Sequence, residues 1–471
     1  MKVEQIYTGC LAEAAYYIES KGEAVIIDPL RETEPYVDRA TEDGAKIKYV
    51  LETHFHADFV SGHLDLSKKT GATIVFGPTA QPNFDAHIAK DGEELKVGDV
   101  TIKVLHTPGH TMESTTYLLQ DENGKDYAIF TGDTLFLGDV GRPDLAVKTD
   151  LSREDLAGHL FDSLRNKIMP LADDVIVYPG HGAGSACGKK MSNETWGYLG
   201  DQKKNNYALR ADMGKEEFVK EVTTGLVDPP QYFPKNAVMN KMGYESIDVV
   251  RERGIQALSV RAFKAAWAEE EALVLDTRHQ DIFAEGFIPG SIFIGIDDNF
   301  AMWVGALITD LKQPILFIVE EGREEEVVTR LSRVGYDNSI GYLEGGFEAW
   351  KEAGEEVDTM TQITAEEFAK LYREQQGKIN LLDVRKASEY AAQHVEGAMN
   401  FPLDFINRNI RDLDRSKTYY GHCQGGYRSM IANSILRSRG FENVVNIKEG
   451  YKELGQQDLP LTDYVEQNTE L

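Results

Sequence analysis

The chain has 471 residues, 42% hydrophobic and 27% charged, with a formal net charge of −28. This balance is ordinary for a globular protein of two to four domains, and the negative charge disfavours nucleic acid and anionic membranes while leaving an anionic small ligand open. No window approaches the roughly 18 uninterrupted apolar residues of a membrane helix, and three cysteines, Cys10, Cys187 and Cys423, are too few and too scattered for a disulfide framework.

The opening MKVEQIYTGCLAEAAYYIES has neither an apolar signal run nor an Arg-rich amphipathic pattern, so a cytoplasmic protein is expected. Cys10, between the first two strands, is expected in the core. Residues 23–29, 46–54, 72–78, 100–110, 127–133 and 174–181 each read as an apolar strand running into a loop. Residues 152–168 read as a helix, with a Ser cap, acids in the first turn and apolar residues at helical spacing. The stretch 225–243 holds three prolines in a short span and reads as a linker or an irregular docking segment. Beyond it the chain repeats itself: 273–294 matches 380–401 and 334–350 matches 439–454, with Asp276/Asp383, Arg278/Arg385 and Gly290/Gly397 at one common offset. The expected division is 1–225, a Pro-containing linker 226–250, and two similar α/β modules at 251–357 and 358–471.

Four of the first domain's strands end on a metal-type ligand. His54 follows YVLET, His110 follows VTIKVLHTPG, Asp133 follows YAIFTG and His181 follows DVIVYPG. One such residue is usually structural, but strand-end loops on one edge of a sandwich converge, and four together point to a metal. The loops THFHAD, TPGHT, TGDTLF and YPGHG resemble, in order and spacing, those of the metallo-β-lactamase superfamily, which implies an αββα sandwich over the first half of the chain. In two-metal members of that family the residue after Asp58 is a histidine; here it is Phe59, which cannot ligate. The remaining set, His54, His110 and Asp133, leaves open coordination positions and suits one non-haem Fe(II), whereas a closed structural zinc would want four protein ligands. The segment GDTLFLGDVGRPDL is similar to that of the superfamily's persulfide dioxygenases. There Arg142 is expected either to orient an anionic substrate or to form a salt bridge with Asp139 or Asp144. His56, Asp58 and His181 are expected behind the ligands, orienting them or binding water and oxygen. His63 and His159 are expected to be ordinary histidines. Cys187, in the small-residue run HGAGSACGKKM, is expected either to relay sulfur or contact substrate, or to fill space.

The stretch YYGHCQGGYRSM reads as strand, tight loop and helix. Backbone N–H groups, a helix N-terminus and Arg428 all favour the Cys423 thiolate, and Gly425 and Gly426 let the loop curl. It resembles the active-site loop of rhodaneses, as do LLDVR and HVEGAMNFP, which implies a cysteine that carries sulfane sulfur. The middle module keeps VLDTR and IPGSIFI, but its loop reads IVEEGREEEVV and has no cysteine. It is expected to be silent and to supply an interface or position its neighbours.

The expected protein is therefore an α/β multidomain chain, an αββα sandwich followed by two rhodanese-like domains. It resembles persulfide dioxygenase–rhodanese fusion enzymes. That resemblance implies oxidation of a thiol persulfide of glutathione, coenzyme A or bacillithiol type by O2 to sulfite and thiol, with Cys423 making or using thiosulfate. No nucleic acid or membrane partner is expected, and a homo-oligomer is compatible. A zinc thioesterase of glyoxalase II type and a non-oxidative sulfur carrier are the competing readings; a nucleic-acid hydrolase is disfavoured by charge.

Overall fold

A computed structural model describes residues 1–146 and 150–466. The described chain divides into two compact units, Met1–Ile247 with Ser332–Gly335, and Asp248–Leu331 with residues 336–466.

The first unit holds two six-stranded sheets. In one the order is Lys2–Thr8, Glu13–Ser20, Glu23–Ile27, Lys46–Leu51, Thr73–Phe76 and His87–Ile88; in the other it is Gly197–Tyr198, Ile176–Pro179, Asp126–Gly132, Thr115–Gln120, Val100–His106 and Glu94–Val97. Side chains alternate across each strand, and the alternation builds three cores. Tyr16, Ile18, Val25 and Ile27 meet Ile102, Val104, Tyr117 and Phe130 between the sheets. Ala15, Tyr17, Ala24 and Ile26 point the other way, onto Tyr36, Ala40 and Leu66 of helices Glu34–Glu42 and His63–Thr70. Leu105, Leu118 and Ile129 of the second sheet pack on Leu156 to Ile168 and on Phe218 and Val222. This is the expected αββα sandwich. The expected helix at 152–168 begins at Arg153 with a Ser152–Asp155 capping box and passes at Leu164–Ile168 into a π-helical turn.

The proline stretch departs from expectation. It contains helix Phe233–Met242, with Pro234 in its first turn, where the missing N–H costs nothing. Asn240 is buried, and its amide donates to the carbonyls of His56 and Phe59 while its oxygen accepts from the Ser61 N–H. The segment thus helps set the loop that carries the histidines. Cys10 also departs: it lies half-buried in the turn between the first two strands, outside the core.

In the second unit two five-stranded parallel sheets share one strand order. The first runs Ala257–Leu258, Ser339–Leu343, Ile315–Ile318, Leu273–Asp276, Ile292–Phe293; the second runs Thr361–Ile363, Val444–Ile447, Tyr419–His422, Asn380–Asp383, Met399–Asn400. The internal repeat is structural. Asp276 chelates Arg278, which also donates to Gly286 O, and Asp383 chelates Arg385, which donates to Gln393 O.

Candidate functional site

The strand-end residues converge in the first unit. Asp133 Oδ2 lies 3.4 Å from His110 Nε2 and 4.0 Å from His54 Nε2, and Asp133 Oδ1 lies 3.5 Å from His181 Nε2. All four side chains are buried. Their orientation has a local cause. Nδ1 of His54 sits 3.0 Å from the Thr53 hydroxyl, which donates in turn to Asp28 at 2.8 Å. Nδ1 of His110 sits 2.8 Å from the Arg142 carbonyl, and Nδ1 of His181 sits 3.2 Å from the Ala12 carbonyl. With Nδ1 donating, each ring presents the lone pair of Nε2 to the pocket. Burial, then the neighbouring rings of His56, His110 and His181, push His54 well below the usual histidine range, which favours its neutral form. A Cβ on Gly180 would lie 2.9 Å from Asp133 Oδ1, so glycine is required there for the carboxylate to keep its place.

His56 is turned the other way. Its Nε2 faces Asp28 Oδ1 at 3.0 Å and Glu52 Oε2 at 3.4 Å. Burial opposes a charge on His56, but these two carboxylates outweigh it and raise its acid well above the usual histidine range. His56, Asp58 and His181 can bring ligand atoms within 4.8 Å of one another. Phe59 is fully buried with its ring 4.3 Å from that of His56 and tilted against it at 31°.

The pocket fits a divalent cation. Among the described residues, both oxygens of Asp133, Oδ1 of Asp58 and Nε2 of His181 are buried without a hydrogen-bond partner. Buried polar atoms are rarely left so, and a cation beside Asp133 would satisfy its carboxylate. His54, His110 and Asp133 can bring their donor atoms within 4.8 Å, and so can Asp133, His181 and Cys187. Cys187 therefore borders the site; burial, followed by Asp133 and Asp58, pushes its thiol well up.

Of the two roles expected for Arg142, the structure shows the salt bridge with Asp144. The guanidinium chelates Asp144 at 2.7 and 2.8 Å and donates to the carbonyls of Ala186 and Val227. What reaches the site is the Arg142 carbonyl, on His110. His63 joins the network behind the site, 3.3 Å from Glu52, which also accepts from the Ser61 hydroxyl, whereas His159 is exposed on its helix. The sequence reading missed Asp28, Glu52, Thr53 and Glu13. Glu13 is buried with neither carboxylate oxygen bonded among the described residues, and burial raises its acid well above the usual range. Its sequence signal is a charge directly before the apolar run AAYYI; the others sit directly before the histidines or at a strand end.

In the last module Cys423 follows strand Tyr419–His422, and its Sγ accepts the Gly426 N–H at 3.1 Å. Gly426 has φ 98°, and a Cβ there would stand 2.2 Å from the Lys448 carbonyl, so only glycine allows the loop. Arg428 is close, but Glu389 grips it with bonds of 2.6 and 2.8 Å. The Glu389 pairing lessens the positive charge that Arg428 presents to the sulfur. In the middle module Ile318 pairs with Asp276 as His422 pairs with Asp383, so Val319 stands where Cys423 stands.

The comparisons agree with this geometry. Residues 8–181 match the Metallo-beta-lactamase superfamily, and residues 259–353 and 364–457 each match the Rhodanese-like domain. A hydroxyacylglutathione hydrolase of Haemophilus influenzae is 34% identical over 192 residues, 36% of this chain and 85% of its own length.

The chain belongs to the metallo-beta-lactamase superfamily.

To that superfamily domain are fused two rhodanese-like domains. A mitochondrial persulfide dioxygenase of Homo sapiens is 32% identical over 161 residues, 34% of this chain; the match covers 59% of that relative, less than two thirds of its length. The crystal structure of a metallo-beta-lactamase from Staphylococcus aureus superposes with a TM-score of 0.63 at 31% identity, covering 73% of this chain and 98% of that one. The chain is thus an enzyme of the metallo-hydrolase and dioxygenase fold, with a His/Asp cluster able to bind a divalent metal. Among the described residues no helix is long and apolar enough to cross a membrane.

Proposed function

We propose that residues 1–225 form a persulfide dioxygenase domain using one non-haem Fe(II), followed by the connecting segment 226–250, a silent rhodanese-like domain at 251–357 and an active rhodanese at 358–471. The domain oxidises a low-molecular-weight thiol persulfide of glutathione, coenzyme A or bacillithiol type: RSSH, O2 and H2O give RSH and sulfurous acid, which ionises to sulfite. The observation that carries this reading is the trio His54, His110 and Asp133, two imidazoles and a carboxylate within reach of one ion, beside a residue 59 that cannot ligate. A facial set of this kind suits Fe(II) with open positions.

Bound iron would supply a common site for sulfur and dioxygen and the electrons exchanged between them. The protein's own part is positional. Thr53 and the Arg142 carbonyl keep Nε2 of His54 and His110 on the ion. Asp58 and His181, 3.4 Å apart, stand beside these residues to orient them or to bind water and oxygen. Cys187 touches the substrate or relays its sulfur. At Cys423 a cysteine persulfide gives its outer sulfur to sulfite. The new S–S bond uses the sulfite lone pair, the old one leaves its electrons on the Cys423 thiolate, and thiosulfate departs; the reverse step uses thiosulfate.

Oxygen uptake with glutathione persulfide tests the reading. Stoichiometric uptake with sulfite formation is expected, and Cys423→Ser should keep the uptake and lose thiosulfate formation. The convergence of His56, Asp58 and His181 favours a second reading, a zinc thioesterase of glyoxalase II type. That enzyme would cleave a hydroxyacylglutathione thioester and consume no oxygen. In a non-oxidative sulfur carrier, His110→Ala would leave every activity intact.

A further inference from the structure

The middle rhodanese-like domain has a valine where sulfur would be carried, yet it touches the element that shapes the Cys423 loop. Helix Tyr427–Ser438 starts directly after Gly426. Tyr427 and Ser434 are seven residues apart, two turns, and so share a face. That face docks on the silent domain. The Tyr427 hydroxyl donates to the Gly295 carbonyl at 2.9 Å, and its ring meets Phe293 edge-on at 5.9 Å. The Ser434 hydroxyl accepts the Phe293 N–H at 2.9 Å. Strand Ile292–Phe293 is the edge of its sheet, so this N–H has no strand beyond it, and Ser434 satisfies it. Burial, with Asp298 and Asp297 nearby, pushes the Tyr427 phenol up, so it remains a donor.

We propose that the silent domain is a positioning element for the Cys423 loop and that Tyr427 is the residue through which it acts. The proposal rests on reading Cys423 as the sulfur carrier. Two clamps hold the loop. On one side Cys423 O accepts the Tyr451 N–H at 2.6 Å and Gln424 O accepts the Lys452 N–H at 3.1 Å. On the other, Tyr427 ties the first helical turn to Gly295. Gly426, whose N–H reaches Cys423 Sγ, lies between them. Without the Tyr427–Gly295 bond the first turn can tilt, and the N–H that stabilises negative sulfur moves with it.

Two variants of the full chain test this from opposite sides. Tyr427→Phe keeps the ring and removes the hydroxyl. Gly295→Ala lies in the silent domain and puts a Cβ 3.3 Å from the Tyr427 ring, 3.2 Å from the Arg278 carbonyl and 3.0 Å from the Phe293 ring. The readouts are sulfur transfer from thiosulfate to cyanide, the rate of Cys423 alkylation by iodoacetamide at fixed pH resolved by mass spectrometry, and the thermal midpoint. Loss of one hydrogen bond corresponds to about fivefold. Each variant should lose about that in kcat and in alkylation rate, with the thiosulfate KM within twofold and the thermal midpoint nearly unchanged. Unchanged kcat and alkylation in Gly295→Ala, or a change in thermal midpoint alone in either variant, would overturn the proposal. Wild-type protein without sulfur transfer, but with alkylation still slowed in both variants, would instead remove the sulfur-carrier reading and leave the coupling standing.

Discussion

Nδ1 of His110 lies 2.8 Å from the carbonyl oxygen of Arg142, while the guanidinium of the same arginine chelates Asp144 on the far side. Arg142 therefore serves the metal site through its backbone, and its side chain fixes where that backbone runs. Arg142→Lys keeps a positive charge but loses the planar fork that matches a carboxylate. A loss of about 1–3 kcal/mol in stability is expected, seen as a lower thermal midpoint, with the KM for persulfide within about twofold. An unchanged midpoint with a KM raised tenfold would put the guanidinium on the substrate instead.

Phe59 occupies a fully buried position against His56. Phe59→His inserts a polar ring there and, without metal, should cost about 1–3 kcal/mol for its unmet hydrogen bonds. With metal it should bind a second equivalent and recover stability. Thermal unfolding with and without added zinc, together with elemental analysis, checks both parts. A metal content no higher than in the unaltered protein would show that Phe59 is not what withholds the second ion.

Much of the candidate site was legible because its residues end strands whose apolar runs are strong: His54, His110, Asp133 and His181 each follow one, and the sheets bring those ends together. The lack of a cysteine in the middle domain's loop was equally legible, since Val319 follows a strand in register with the one before Cys423. What the sequence hid depends on non-local partners. The fate of the Arg142 side chain is set by Ala186 and Val227, distant in sequence. The neutralisation of Arg428 by Glu389 joins two helices. Pro234 reads as a breaker but sits in the first turn of a helix, the one helical place that tolerates it. The network of Asp28, Glu52 and His56 was hidden because acids at strand ends look like ordinary turn residues until the fold buries them.

The Glu389–Arg428 pair carries a pH signature. Burial works against the Glu389 carboxylate, but the Arg428 hydrogen bonds outweigh it and hold its acid below the usual range. A depressed folded-state value means that the pair's stabilisation is complete above the unfolded carboxyl value of about 4.3 and is lost as pH falls through the lower folded value. The thermal midpoint of the unaltered protein should therefore exceed that of Glu389→Gln at neutral pH, and the gap should close in acid. Unfolding both proteins from about pH 7 down to about pH 3 checks the sign; a gap that widens in acid would contradict it.

The most direct measurement is the identity and number of metal ions in protein purified without oxygen. One iron per chain is expected, lost when His110 or Asp133 is replaced by alanine. Two zinc ions per chain, retained in air and accompanied by thioester cleavage without oxygen uptake, would contradict the dioxygenase.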